Sequence, residues 1–162
     1  MTSVNSAKEF KKGNHSVGIN EHHIEFCPKY RYKCMKNPYI NKEIERLILK
    51  SAQEHGIFIN KIATVEDHVH IDAIIPFDMS VSKAEMLIKG RSAYLIFRRF
   101  PNFRLRYRKG HFWSPGKFSR SMSGVDAQTV RRYIENQQLD KLHETIVHAE
   151  EEIRQLDLTV FL

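Results

Sequence analysis

The chain has no run approaching the ~18 apolar residues that a membrane-spanning helix needs. Its opening stretch, MTSVNSAKEFKKGNHS, lacks the apolar segment of a secretory signal, so a soluble cytoplasmic protein is the expectation. Cysteine is scarce: only Cys27 and Cys34 occur. Six residues separate them, which fits neither a zinc knuckle nor a redox pair, so incidental or structural thiols in a reducing compartment are expected. There is no glycine-rich phosphate loop, no internal repeat and no low-complexity tract. What is present is enough hydrophobic sequence, 41% of 162 residues, to bury the core of one domain, or of one domain plus an appended helix. It also carries 26 Lys and Arg against 19 Asp and Glu, a net charge of +7. A basic surplus of that size suits a polyanionic partner, although charge alone is equally consistent with a solvated basic surface.

Along the chain, residues 1–16 are polar and unpatterned and read as a flexible tail. Residues 19–27 are rich in strand formers. Residues 40–55 carry Ile44, Leu47, Ile48 and Ala52 at helical spacing, with Gly56 placed to end the helix. Residues 57–65 and 68–75 read as two strands joined by a tight turn at Glu66 and Asp67. A long helix is expected over 80–100, with Ser82 and Glu85 at capping-box spacing and Leu87, Ile88, Ala93, Tyr94, Ile96 and Phe97 on its buried side. Gly90 within it marks a weak or close-packed point. Residues 103–113 alternate, Phe103, Leu105 and Tyr107 against Arg104, Arg106 and Arg108, and predict a strand. Residues 114–124 read as a loop, and 126–138 and 140–156 as helices. The resulting β-α-β-β-α-β order is that of a ferredoxin-like, RRM-like α+β fold with C-terminal helices. Its antiparallel sheet would have one face under the two helices and the other face free for partners or for the C-terminal helices.

Three groups of residues can carry chemistry. His68 and His70 are two apart on a strand, so they share a face, and two imidazoles so placed can converge on one cation. Val69, Ile71, Ala73 and Ile75 then point into the core, and Asp72 joins the histidine face as a candidate extra ligand or orienting group. The bland alternative is two half-exposed histidines. Tyr133 and Gln137 are four apart on a helix, which brings a phenol oxygen and an amide oxygen to one point. Arg131 and Arg132 beside them could receive a phosphate. The third group is a basic and aromatic stripe over 103–120, with Arg104, Arg106, Arg108, Lys109, His111, Lys117 and Arg120 among Phe, Tyr and Trp113. Cations can follow a phosphate backbone while aromatic faces stack on unpaired bases. A smaller patch, which includes Lys29 and Arg31, follows the first strand. A solvated strand face over a core face is the alternative for the stripe.

Four segments together resemble the single-tyrosine HUH transposases of small prokaryotic insertion sequences, of which the REP-associated tyrosine transposases are close relatives. They are CPKYR at 27–31, EDHVHIDAIIP at 66–76, FWSPGKF at 112–118 and RRYIENQ at 131–137, and they stand in the family's order with its approximate spacing. The resemblance implies a catalytic domain over 17–138, followed by a helical tail over 139–162 for which it implies nothing. It implies a homodimer acting on single-stranded DNA with hairpins near the ends of an element. It also implies His68, His70 and Gln137 as ligands of Mg²⁺ or Mn²⁺, and Tyr133 as nucleophile. Lys29, Arg31, Arg104, Arg106, Arg108, Lys117, Arg120, Arg131 and Arg132 are the candidate DNA contacts.

The chemistry implied is attack of the Tyr133 phenol on phosphorus, expelling a 3′-hydroxyl and leaving a 5′-phosphotyrosine that conserves the bond energy for rejoining. Two other readings stand beside it. One is a binding module of the same fold that holds single-stranded nucleic acid without chemistry. The other is a domesticated relative that acts on palindromic repeats of a host genome.

Overall fold

A computed structural model describes Lys11, Lys12, residues 17–122, Arg132, Glu135 and Asn136. The elements are β1 (Lys11–Lys12), β2 (Val17–Gly18), β3 (Glu21–Phe26), α1 (Pro38–Gln53), β4 (Phe58–Thr64), β5 (Val69–Ile74), α2 (Val81–Arg99), α3 (Phe103–Arg106) and β6 (Phe118–Ser121). The main sheet has the order β4-β5-β3-β6, and every neighbouring pair is antiparallel. Setting aside the short β1–β2 pair and α3, the chain order is β-α-β-β-α-β, the α+β arrangement expected from the sequence. The expected C-terminal helix over 140–156 lies outside the described residues. In the 126–138 segment Arg132, Glu135 and Asn136 are helical.

The alternation in β5 fixes the layering. Val69, Ile71 and Ala73 are each fully buried. They sit in register with Phe26, Ile24 and His22 on β3, and with Thr64, Ile62 and Ile59 on β4. The helices close over the apolar side. Asn37 starts α1, accepting from the backbone of Tyr39 at 3.0 Å and Ile40 at 3.2 Å, and Pro38 occupies the first turn where no N–H is needed. Ile44, Leu47, Ile48 and Ala52 are buried as their spacing predicts. Each such isoleucine or leucine contributes about 1.5–3 kcal/mol by burial. Asn41, buried among them, donates to the carbonyls of Met35 and Thr64 and accepts from Thr64 Oγ1 at 2.7 Å, which pins α1 to β4. Gly56 takes φ +68 where the chain turns into β4, a conformation that costs glycine little.

The structure differs from the sequence reading in the segment after α2. Residues 103–113 do not form the fourth strand. Phe103–Arg106 is a single helical turn, and β6 is Phe118–Ser121, inside the stretch read as a loop. The aromatic residues explain the difference. Phe103 and Tyr107 pack at helical spacing around Phe112, with ring centroids 5.6 and 5.1 Å from it. Leu105, which an alternating strand would bury beside them, is 78% exposed. Phe112 is fully buried against Phe97 and Trp113. Trp113 Nε1 donates to Ser92 Oγ on α2 at 2.9 Å. The aromatic residues therefore form a knot under the helix rather than one side of a strand.

Within α2 three details change. The cap is Ser80, whose Oγ accepts from Lys83 N at 3.2 Å, and not Ser82. Ser82 instead accepts from Lys117, and Glu85 turns inward and pairs with Lys89 at 3.1 Å. The buried stripe runs through Ala84, Glu85, Ile88, Ser92, Ile96 and Phe97, while Tyr94 is exposed. A side chain added at Gly90 would meet nothing within 4 Å, so it is not a close-packing point. Cys34 is buried, and burial pushes its thiol up to about 11, which suits an inert structural cysteine.

A candidate metal centre on the polar face of the sheet

The side chains of β5 that do not enter the core form, with those of β3, a polar face. His68 and His70 have ring centroids 4.8 Å apart, nearly perpendicular. His68 is held from below: its Nδ1 lies 2.6 Å from Asp67 Oδ1, and Asp67 Oδ2 accepts from Arg31 Nε at 3.1 Å. Burial acts to raise the Asp67 pKa, but the bonds from His68 and Arg31 outweigh it and hold this carboxyl below its ordinary range. In a neutral His68 ring, an ionised Asp67 accepting from Nδ1–H leaves the lone pair on Nε2, the arrangement common to metal-binding histidines. Arg31 reaches Asp67 from a tight turn in which Tyr30 (φ 64) and Arg31 (φ 49) are left-handed, a conformation uncommon for such residues and concentrated at functional sites.

His70 is 4% exposed. Burial, then the proximity of His68 and His23, lowers its pKa to about 4, so its ring is neutral near pH 7 and able to donate a lone pair. The neighbouring strand brings His23, whose ring stacks on His70 at 5.3 Å, and Glu25, which stands directly opposite His70. His23, Glu25 and His70 offer ligating atoms within 4.8 Å of one another. The sequence reading had passed over His23, Glu25 and Asp67. A signal for the first two was present in residues 23–26, where His23 and Glu25 alternate with Ile24 and Phe26. Asp72, expected on this face, is there and fully buried; its carboxylate receives Asn60 Nδ2, which also donates to Glu21 at 2.6 Å.

Tyr133, Gln137 and Arg131 lie outside the described residues. Glu135, between the first two in sequence, forms an ion pair with Lys61. Lys61 is paired with Asp72 across β4 and β5, so this contact falls on the same side of the sheet as the histidines.

The candidate DNA-binding cations do not form one stripe. Lys29, Arg104 and Lys117 line a cleft of about 790 Å³ between α2 and residues 110–117, on the helix side of the sheet. Arg106 lies over the Tyr32 ring at 5.0 Å, and Arg108 is exposed in the following turn. Arg120 is in register with His23 and so belongs to the histidine face. Arg31 is committed to Asp67, and Arg132 is exposed. Two motif segments are stitched together by backbone bonds: Lys29 N to Phe112 O at 2.8 Å and Ser114 N to Cys27 O at 2.9 Å.

A four-stranded antiparallel sheet with paired histidines at its centre, and a polar face opposite the helices, defines an α+β domain with a cluster of candidate metal ligands. Residues 17–137 match the sequence model of the IS200-like transposases, and the chain belongs to that family. It is 27% identical over 127 residues to the transposase for insertion sequence element IS200 of Salmonella typhimurium, covering 78% of this chain and 82% of that one. It is 25% identical over 137 residues to the ISDra2 transposase TnpA of Deinococcus radiodurans, covering 85% and 97%. In fold it is similar to a crystal structure of a putative transposase from Deinococcus radiodurans, with a TM-score of 0.64 at 24% identity, covering 78% of this chain and 97% of that chain. It is also similar in fold to a REP-associated tyrosine transposase bound to a REP hairpin, with a TM-score of 0.51 at 12% identity, covering 83% and 73%. Among the described residues no helix is long and apolar enough to cross a membrane.

Proposed function

We propose that this transposase cuts and rejoins single-stranded DNA at hairpin-marked ends through a 5′-phosphotyrosine on Tyr133, using Mg²⁺ or Mn²⁺, and that it does so as a homodimer in the cytoplasm. The catalytic unit is residues 17–138, with 1–16 and 139–162 as its N- and C-terminal tails. The observation that carries this reading is the polar face itself. Asp67 orients His68 there, His70 is neutral, and the Lys61–Glu135 ion pair falls on the same side of the sheet, with Glu135 midway in sequence between Tyr133 and Gln137.

The donor set fits a divalent cation. His68 has its Nδ1 proton committed to Asp67, and His70 is uncharged; Gln137 would add an amide oxygen, with Asp72 close by as an orienting group. When bound, the cation would polarise the scissile phosphate and offset the charge developing on it. Tyr133 Oη attacks phosphorus, the bond to the 3′-oxygen breaks, and that oxygen leaves as a 3′-hydroxyl after taking up a proton. The phosphodiester energy is retained in the phosphotyrosine, so rejoining to another 3′-hydroxyl needs no nucleotide cofactor. Lys29, Arg104 and Lys117 in the cleft, with Arg31, Arg106, Arg108, Arg120, Arg131 and Arg132, supply phosphate contacts.

The test is a denaturing gel of end-labelled hairpin DNA from the protein's own locus, incubated with Mn²⁺ or EDTA. A metal-dependent covalent adduct on the 5′-phosphate side, absent with Tyr133→Phe, is expected. Binding on a native gel with no adduct in any metal would favour a non-catalytic module. Activity directed at palindromic repeats elsewhere in the genome, with none at the protein's own flanks, would mark a domesticated relative.

A further inference from the structure

The reading above leaves two side chains of the polar face without a role. Glu25 stands directly across from His70 on the neighbouring strand, and His23 lies two residues along on the same face. His70 Nδ1 is 3.4 Å from His23 Nε2 and 3.9 Å from Glu25 Oε2. Both separations exceed the usual hydrogen-bond range of about 2.7–3.2 Å. They lie within an ångström of the roughly 3 Å edges of an octahedral shell whose metal–oxygen bonds are about 2.1 Å. His23 and His70 are 8% and 4% exposed, whereas the Glu25 side chain is 37% exposed, so the carboxylate stands at the mouth of a buried pair. His23 Nδ1 is buried with no hydrogen-bond partner among the described residues. Hydrogen bonding among the described residues therefore does not explain why this imidazole is inside.

We propose that Glu25, with His23, supplies ligands from β3 to the divalent cation held by His70, so that two neighbouring strands share it. This rests on the metal dependence proposed above and goes beyond the histidine-pair-and-glutamine set. Two consequences follow. Ligands from the sheet alone then suffice to hold the cation. A carboxylate also brings a hard, charged oxygen to a site otherwise made of imidazole and amide, which favours Mg²⁺ and Mn²⁺ relative to an uncharged donor set.

The full-length protein is titrated with Mn²⁺ alone, and free ion is read from its electron paramagnetic resonance signal. Glu25→Gln is expected to weaken binding about 10–100-fold. Gln137→Ala is expected to weaken it less, and His70→Ala to abolish it. Circular dichroism without metal checks that each variant is folded. A second variant probes the imidazole: His23→Gln is expected to weaken Mn²⁺ binding as well, with its fold checked in the same way. Wild-type affinity in Glu25→Gln, wild-type affinity in His23→Gln, or no Mn²⁺ binding at all each overturns the proposal. The two readings fail separately. If Glu25→Gln binds Mn²⁺ and forms the DNA adduct like wild type, this proposal falls and the transposase mechanism stands. If Mn²⁺ binds through Glu25 but no phosphotyrosine forms, the ligand assignment stands and the mechanism falls.

Discussion

The two faces of the central sheet are built from alternate residues of the same strands, yet they obey opposite rules. On the covered face Val69, Ile71 and Ala73 are fully buried against Ile24, Phe26 and the helices. On the other face His70 and Asp72 are just as deeply buried, but among Glu21, His23, Glu25 and Asn60. One face gains stability by removing hydrocarbon from water, at about 25 cal/mol per Å². The other desolvates imidazoles and carboxylates, a cost that charge pairing and hydrogen bonding must offset. A protein that needed only to fold would not place so many polar groups at the centre of its sheet. Stability thus resides on one side of each strand and chemistry on the other.

Substitutions on the two faces should therefore separate activity from stability. The largest effect belongs to the chemical side: Tyr133→Phe should reduce strand cleavage by about 10⁴-fold or more, the order seen when a nucleophile is removed, with the melting temperature unchanged. An adduct at wild-type yield would place the nucleophile elsewhere. Next comes the covered face. Ile71→Ala should cost about 2–5 kcal/mol in urea unfolding, as buried large-to-small changes do. A loss under about 1 kcal/mol would mean that the helices do not pack there as described.

The pH dependence sharpens the comparison. His70 titrates near 6.5 when unfolded but at about 4 when folded. Between those values the unfolded chain binds more protons. The metal-free protein therefore loses stability as pH falls through that window, by up to about 1.4 kcal/mol per pH unit from this group. His70→Gln should flatten that slope, and an equal slope in both proteins would remove His70 from the account. The smallest effect concerns the knot that supports β6. Ser92→Ala removes the acceptor of Trp113 Nε1 and should cost about 1–3 kcal/mol, because a buried donor is left unpaired. A neutral result would show that Trp113 finds another partner.

Much of this was legible in the sequence where one periodicity dominates. The 3.6-residue spacing of Ile44, Leu47, Ile48 and Ala52, and the strict alternation of 68–75, specify element, face and burial together. The segment 103–113 misled because its arginines alternate with period two while its aromatics fit a helical turn. Phe103, Tyr107 and Phe112 bury far more area than three solvated guanidinium groups can, so packing prevailed. The site was half legible. His68 and His70 announce themselves by spacing along one strand. His23 and Glu25 approach them only through cross-strand register, which no local pattern encodes. Asp67 looked like a turn residue, and its role appears only when Arg31 folds back onto it.

The backbone bonds between residues 27–29 and 112–114 have a kinetic consequence. They join the end of the first sheet strand to the segment leading into the last one, with α1, β4, β5 and α2 all in between. Such a seam cannot close locally. Its loop-closure entropy is lost before the aromatic contacts reward it, so β6 should be the last strand to pair and the whole domain a slow folder for its size. Until then the edge of β3 that carries His23 and Glu25 stands open. A nascent chain still short of residue 114 would carry the histidines of the site without the strand that covers their flank.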